Sequence, residues 1–340
     1  MKFTPILLVV FVCCFFTIGI GQNALIKNHT LPAPLKPIFN AQPINFLSID
    51  TFKREKSEKE LANLVSNILN KHDKASPRTA YLVGSSSVAV FGGLFVYMKQ
   101  AWWKEETTKF HFDWSRDYTY ANNLDKMGHF MGGIIAADAY FDACKGLKMS
   151  DKSAAWWGFG IGAGVQMAIE IKDGLAPHWG YSVGDVTAGS LGALQPLLRQ
   201  KSSFFRHTDF KASYWQRSTR YFEARGLPIT PIHTDDYLNQ TYWMSTSLRY
   251  LTNEKYDKIP DWLNLAFGWG IEAESWDRNP LDPGTGGKPE FYLALDVNLL
   301  KLFKPKQKFW YQFLKRINYL KIPMPTLQLT QKPKLWGLYF

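Results

Sequence analysis

The sequence predicts a mixed fold. An α-helical, membrane-associated bundle of about four helices is expected over residues 78–200, followed by a β-rich region over 235–340. Three observations carry that expectation. Apolar, glycine-rich runs long enough for helices fill the stretch from Ala80 to Leu198. From Leu238 onward the apolar period changes from that of a helix to two, the period of a strand. The run Ala80–Met98 holds 19 residues without a charge, close to the roughly 20 that cross a bilayer as a helix.

Taken in order, the chain opens as an export signal. Lys2 is the positive end, Pro5–Phe16 the apolar core and Gly19-Ile20-Gly21 a small-x-small cleavage site, so residues 1–21 read as a signal peptide. An uncleaved anchor helix is the alternative. Bulky Val10, Phe11 and Val12 before Cys13 do not suit a lipid-anchor site, and Cys144 alone remains after cleavage. Residues 22–77 read as a Pro- and Asn-rich linker leading into a surface helix. In that helix Leu61, Leu64, Ile68 and Leu69 recur at helical spacing.

Within Ala80–Met98, Ser85, Ala89 and Gly93 stand four apart and make a small-residue face for close helix packing. Lys99, Trp102, Trp103 and Lys104 follow it like interfacial anchors, which favours a transmembrane helix over a buried one. Three shorter apolar runs come next, Met127–Cys144, Ala154–Ile169 and Val186–Leu198. Residues 201–234 are a basic, irregular connector. Beyond it TYWMSTSLRY, WLNLAFGWGI and FYLALDVNLL read as strands, separated in part by the turn-rich DRNPLDPGTGG. Lys306–Leu320 interrupts them as a basic, aromatic amphipathic helix, which can face a membrane surface or a protein core. Leu335–Phe340 reads as a final strand.

The formal net charge of +11 and mean hydropathy of −0.22 argue against a chain made only of spanning helices. The charge suits anionic lipid or another envelope polyanion. No nucleic-acid recognition motif accompanies it, and the N-terminus directs the chain outward. The expected location is membrane-associated and outside the cytoplasm; the resemblance described below implies the bacterial cell envelope. The expected partners are membrane lipid and an envelope glycolipid or protein, with no nucleic acid.

The chemistry concentrates between Asn122 and Gln200. Asp125 and His129 are four apart and share a helix face, a spacing that suits a carboxylate orienting an imidazole or two ligands of one metal. Glu170 and Asp173 close the next apolar run, and Ser182 and Asp185 open the one after that. If these ends converge, Asp125, His129, Glu170, Asp173 and Asp185 form one acidic site for general acid–base chemistry. Asp125, His129 and Glu170 would then be the ligands of a divalent metal. Lys126, Ser182, His111 and His178 are further binding candidates. The competing reading is structural, with Asp185 a helix cap and His129–Glu170 an interhelical hydrogen bond. No phosphate loop, cysteine zinc pattern, nucleophile elbow or HExxH is present.

These residues resemble the YfiM-like domain-of-unknown-function family of the bacterial envelope. The likeness runs from about Trp102 to Gln195. It comprises the Trp-Trp-Lys start, Phe110-His111-Phe112-Asp113, Asp125-Lys126-x-Gly128-His129, Glu170-x-x-Asp173-Gly174 and Trp179-Gly180-x-Ser182-x-x-Asp185. The block Pro260-Asp261-Trp262-Leu263-Asn264-Leu265-Ala266-x-Gly268 resembles one in longer members. The Asp-Lys-x-x-His, Glu, Ser-x-x-Asp skeleton is more loosely similar to VanZ-like membrane proteins. The resemblance implies an envelope location and a shared polar site, and no established activity.

Overall fold

The computed structural model describes residues 77–339 apart from 102, 104–105, 115–116, 227–228, 230–233, 257, 273–286 and 331. The expected signal peptide (1–21), the linker and helix up to residue 76, the anchors Trp102 and Lys104 and most of the DRNPLDPGTGG turn lie outside the described residues. The helical elements begin with α1 (Pro77–Ala101), α2 (Leu124–Gly146), α3 (Asp151–Asp173) and α4 (Val183–Ala193). Short helices α5 (Gln195–Lys201) and α6 (Ser203–Arg206) lead into β1 (Thr208–Tyr214). There follow α7 (Arg220–Arg225), β2 (Gln240–Ser247), α8 (Leu248–Leu251), β3 (Leu263–Ile271) and β4 (Pro289–Val297). Helices α9 (Leu299–Phe303) and α10 (Lys308–Ile317) then precede β5 (Met324–Gln328) and β6 (Lys334–Tyr339).

The four-helix membrane bundle does not form, and among the described residues no helix is long and apolar enough to cross a membrane. The transmembrane helix expected at 80–98 is therefore corrected. The segment is helical, but Ser85–Ser87 and glycines 84, 92 and 93 dilute its apolar run. The next two helices carry Asp125, Lys126, Asp138, Asp142 and Glu170, and α4 has only 11 residues. What forms is a layer of helices packed against a six-stranded antiparallel sheet in the order β1-β2-β3-β4-β5-β6.

Helices α2, α3 and α4 pack at backbone contact. A Cβ on Gly133 would collide with the Gly189 carbonyl, and one on Gly189 would collide with the Gln166 side chain. Both positions require glycine for close approach, not for conformation. Gly133→Ala is expected to cost about 1–3 kcal/mol, read as a lower urea midpoint at unchanged slope. Helix α1 meets this layer through the Phe91–Tyr140 ring pair (5.8 Å) and a buried cluster of Met98, Trp103 and Ala176.

The sheet curls on itself. The Ala212 amide donates to the Tyr319 carbonyl (2.8 Å), and the Lys321 amide donates to the Ala212 carbonyl (3.0 Å). These bonds join the free edge of β1 to the chain entering β5. Inside lie Trp243, Tyr292 and Tyr339, in tilted and edge-on contacts at 4.9–6.0 Å between ring centres. Beside them Lys211 and Asp296, both fully buried, pair at 2.7 Å. The helical layer covers the outer face at the β1–β2 end, where Phe130 meets Phe210 (4.9 Å) and Leu124, Ile134, Leu238 and Tyr242 share one buried cluster.

Strands β1 and β5 lie where the sequence indicated no strand. The alternation in TDFKASY is masked because its lysine points inward. Asp138 and Asp142 on α2 are held by basic side chains. They receive Lys315 and Arg316 of α10 at 2.6–3.4 Å, and Asp138 also receives Arg199 (3.5 Å) and the Tyr319 hydroxyl (2.5 Å).

Candidate functional site

A cavity of about 570 Å³ lies where the helical layer meets the first two strands. Its entry geometry begins at Ala121, Asn122 and Asn123, three consecutive residues in the left-handed region (φ 46°, 50° and 63°). Non-glycine residues hold that conformation only where their surroundings impose it. The result is a chain reversal that starts α2 with Asp125 in its first turn, facing the cavity, and His129 one turn on. Opposite, the backbone of residues 111–113 is zipped to Tyr181: the Asp113 amide donates to the Tyr181 carbonyl (3.1 Å) and the Tyr181 amide to the His111 carbonyl (2.9 Å).

That pairing fixes the loop before α4. The Ser182 hydroxyl accepts from the Asp185 amide (2.9 Å), capping α4, and donates to Asp117 (2.5 Å). The Ser182 amide donates to Glu170 Oε2 (3.1 Å) and the Gly184 amide to Asp117 (3.2 Å). Glu170 Oε1 faces His129 Nε2 at 3.4 Å, and His129 Nδ1 lies 2.9 Å from Gln166 Oε1. A glutamine oxygen at that distance requires the proton on Nδ1. Nε2 is left free to accept from a protonated Glu170 or to bind a cation. His129, Glu170 and Asp185 each offer one atom within 4.8 Å of the others.

The electrostatics are those of too many carboxylates around one cation. Lys126 Nζ lies 3.1 Å from Asp117, 3.3 Å from Asp185 and 3.5 Å from Asp125. Burial, reinforced by the Asp185 and Asp173 carboxylates, pushes the Glu170 carboxyl up to about 9. Burial likewise raises Asp173 to about 7, against the hydrogen bond it accepts from the Trp103 indole (2.6 Å). Asp125 is raised by burial and the Asp185 carboxylate, with Lys126 opposing. Asp117 goes the other way. Burial alone would raise it, but hydrogen bonds from Ser182, Lys126 and Gly184 outweigh that and hold it low. Asp125 Oδ1 is buried without a hydrogen bond, and Asp185 Oδ1 has only the Lys126 ammonium at 3.3 Å.

Asp125, His129, Glu170, Asp173, Ser182 and Asp185 therefore line one cavity. Lys126 stands at its edge through its ion pairs. His111 does not reach it and has its Nδ1 on the Lys109 carbonyl (3.2 Å), while His178 is exposed on the loop after α3. Sequence reasoning missed Asp117, Gln166, Asp235, Tyr237, Gln240 and Tyr242. Gln166 was within reach, being four residues before Glu170 on the same helix face. Tyr237, Gln240 and Tyr242 belong to the far half of the chain and carry no local signal. Met131, Ile135, Ile169 and Leu320 make the apolar wall.

No family model, no curated protein and no solved structure matches this chain.

Proposed function

We propose that this chain is a metal-dependent ligand-binding protein of the bacterial cell envelope. Its cavity takes the polar head of a lipid, glycolipid or cell-wall precursor. The observation that carries the reading is the convergence of His129, Glu170 and Asp185 within 4.8 Å, beside the unsatisfied Asp125 Oδ1 in a buried cavity. A divalent cation supplies the positive charge this set lacks. One imidazole with carboxylates suits zinc, manganese or iron better than magnesium or calcium. Asp185 takes the place of Asp125 in the expected Asp125-His129-Glu170 set, and Asp125 stands just outside the close trio. The apolar wall opposite suits the hydrocarbon part of an amphiphile.

With a metal bound, such a centre would supply Lewis-acid activation of water, and Asp173, which lines the same cavity, would be placed to take the proton. A second reading is favoured by the Ser182 amide bond to Glu170 and by the His129–Glu170 contact. Together they tie α2, α3 and the start of α4 into one polar clasp without any ligand.

One experiment separates the two. Purified protein is dialysed against zinc, manganese, magnesium and calcium in turn, and retained metal is measured with the melting temperature. The metal-site reading expects one equivalent of a transition metal. It should be lost in His129→Ala and Asp185→Asn, which otherwise keep their far-ultraviolet circular dichroism. No retained metal, with both variants melting well below wild type, would leave the clasp reading.

A further inference from the structure

The closed sheet is partly inverted relative to a water-soluble barrel, with polar groups inside around the Trp243–Tyr292–Tyr339 cluster. Its inward positions carry Lys211, Ser245, Asn264, Glu290, Asp296 and Gln328, which bond to one another: Ser245 donates to Asp296 (2.6 Å), Asn264 to Ser245 (3.0 Å) and Gln328 to Glu290 (3.4 Å). Its outward positions form one unbroken cross-strand row, Phe210–Met244–Phe267–Leu293–Leu327–Leu335, paired strand by strand. Helices cover only the Phe210 end, and from Met244 to Leu335 the row is open, with Leu335 74% exposed. Trp269 and Phe291 form a neighbouring row on the same face. A soluble fold has no reason to place its ions inside and its leucines outside.

Helix α10 repeats the inversion independently. Its basic residues Lys315 and Arg316 turn inward to Asp142, while Phe309 (59% exposed) and Trp310 (50%) turn outward. Exposed Lys304, Lys306 and Lys308 lie between exposed Phe303 and that aromatic ridge. Lipid-facing strands alternate apolar-out and polar-in, with aromatics and cations at the headgroup level. At nine residues each, β3 and β4 reach roughly 30 Å at about 3.3 Å per residue, the depth of a bilayer core, while β5 and β6, at five and six residues, reach only part of it.

We infer that the outer face of this sheet, from Met244 to Leu335, sits in the hydrocarbon of a lipid bilayer, with Lys304, Lys306 and Lys308 at anionic headgroups. The occupant of the open face is acyl chain, because the charge pattern beside it complements anionic lipid. The inference does not depend on the cavity chemistry.

The test places a nitroxide at Phe267→Cys or Leu293→Cys, with Lys201→Cys as the aqueous reference, in full chain whose three native cysteines are serine. The protein is reconstituted into phosphatidylcholine vesicles containing phosphatidylglycerol. The expected result is that oxygen reaches positions 267 and 293 and a water-soluble nickel chelate does not, with the reverse at 201. Phe267→Lys/Leu293→Lys should lose retention in carbonate-washed vesicles. The inference is overturned if the chelate reaches 267 and 293 as readily as 201. It is equally overturned if spin–spin broadening at both sites, with a dimeric mass and no flotation with vesicles, shows a second copy on this face.

Discussion

Asp296→Ala is expected to remove a large fraction of the chain's stability at neutral pH. Asp296 and Lys211 have no solvent exposure and pair at 2.7 Å. The aspartate also accepts from Ser245 (2.6 Å), and the ammonium donates to the Val297 carbonyl (2.8 Å) and Asn318 (3.3 Å). Removing one partner strands a buried charge, a loss of about 3–5 kcal/mol. Whole domains are stable by only about 5–15 kcal/mol. Lys321, also fully buried, lies nearby with its ammonium 4.7 Å over the Trp243 ring, so the alanine variant leaves two interior cations facing each other. Urea unfolding of wild type, Asp296→Ala and Lys211→Met/Asp296→Leu checks this. The double variant should recover part of the loss, because it removes the pair and keeps the volume while Lys321 still loses its carboxylate neighbour. Equal stability of the single and double variants would mean that the pair is not what holds the interior.

The second large effect is a stability that falls as pH rises. In metal-free protein the Glu170 carboxyl holds its proton up to about 9, against an ordinary value of 4.5. Between those values the folded state binds a proton that the unfolded chain has released. Unfolding therefore becomes easier with each step up in pH, and the stabilisation present at pH 5 is gone by pH 9. Asp173, raised to about 7, adds to the same slope in the lower half of the window. Asp117 is held low and acts only below its ordinary value of 3.8, outside the window. The summed loss is on the order of a few kcal/mol. Melting temperatures between pH 5 and 9 should fall for wild type. They should fall much less for Glu170→Gln, which carries the neutral amide throughout.

A bound cation reverses the slope, because it displaces the same proton and binds more tightly as pH rises. Metal-loaded wild type should gain stability over wild type most at pH 9, and Glu170→Gln should gain little. A wild-type profile flat from pH 5 to 9 would show that Glu170 is not desolvated as the cavity implies.

Much of the candidate site is legible as local spacing. Asp125 and His129 share a face of α2, Glu170 sits at the end of α3, and Ser182 caps α4 through the Asp185 amide, all within the reach of helix geometry. Asp117 was not legible, because its partners Ser182 and Gly184 lie more than sixty residues away and meet it only through the backbone pairing at Tyr181. Tyr242 was read as a strand residue, yet it becomes a cavity wall because that strand lies under the helices.

The period of two in LNLAFGWGI and FYLALDV determines by itself that these segments are strands with one apolar face. It is blind to which face is inside, since alternation is the same read from either side. The amphipathic pattern of α10 has the same ambiguity. Closure of β1 onto the chain entering β5 decides it, enclosing Lys211 and Asp296 and leaving Phe267, Leu293 and Leu327 outside. A curled sheet has one concave side, and the groups that can satisfy one another across that small interior are the ones it keeps.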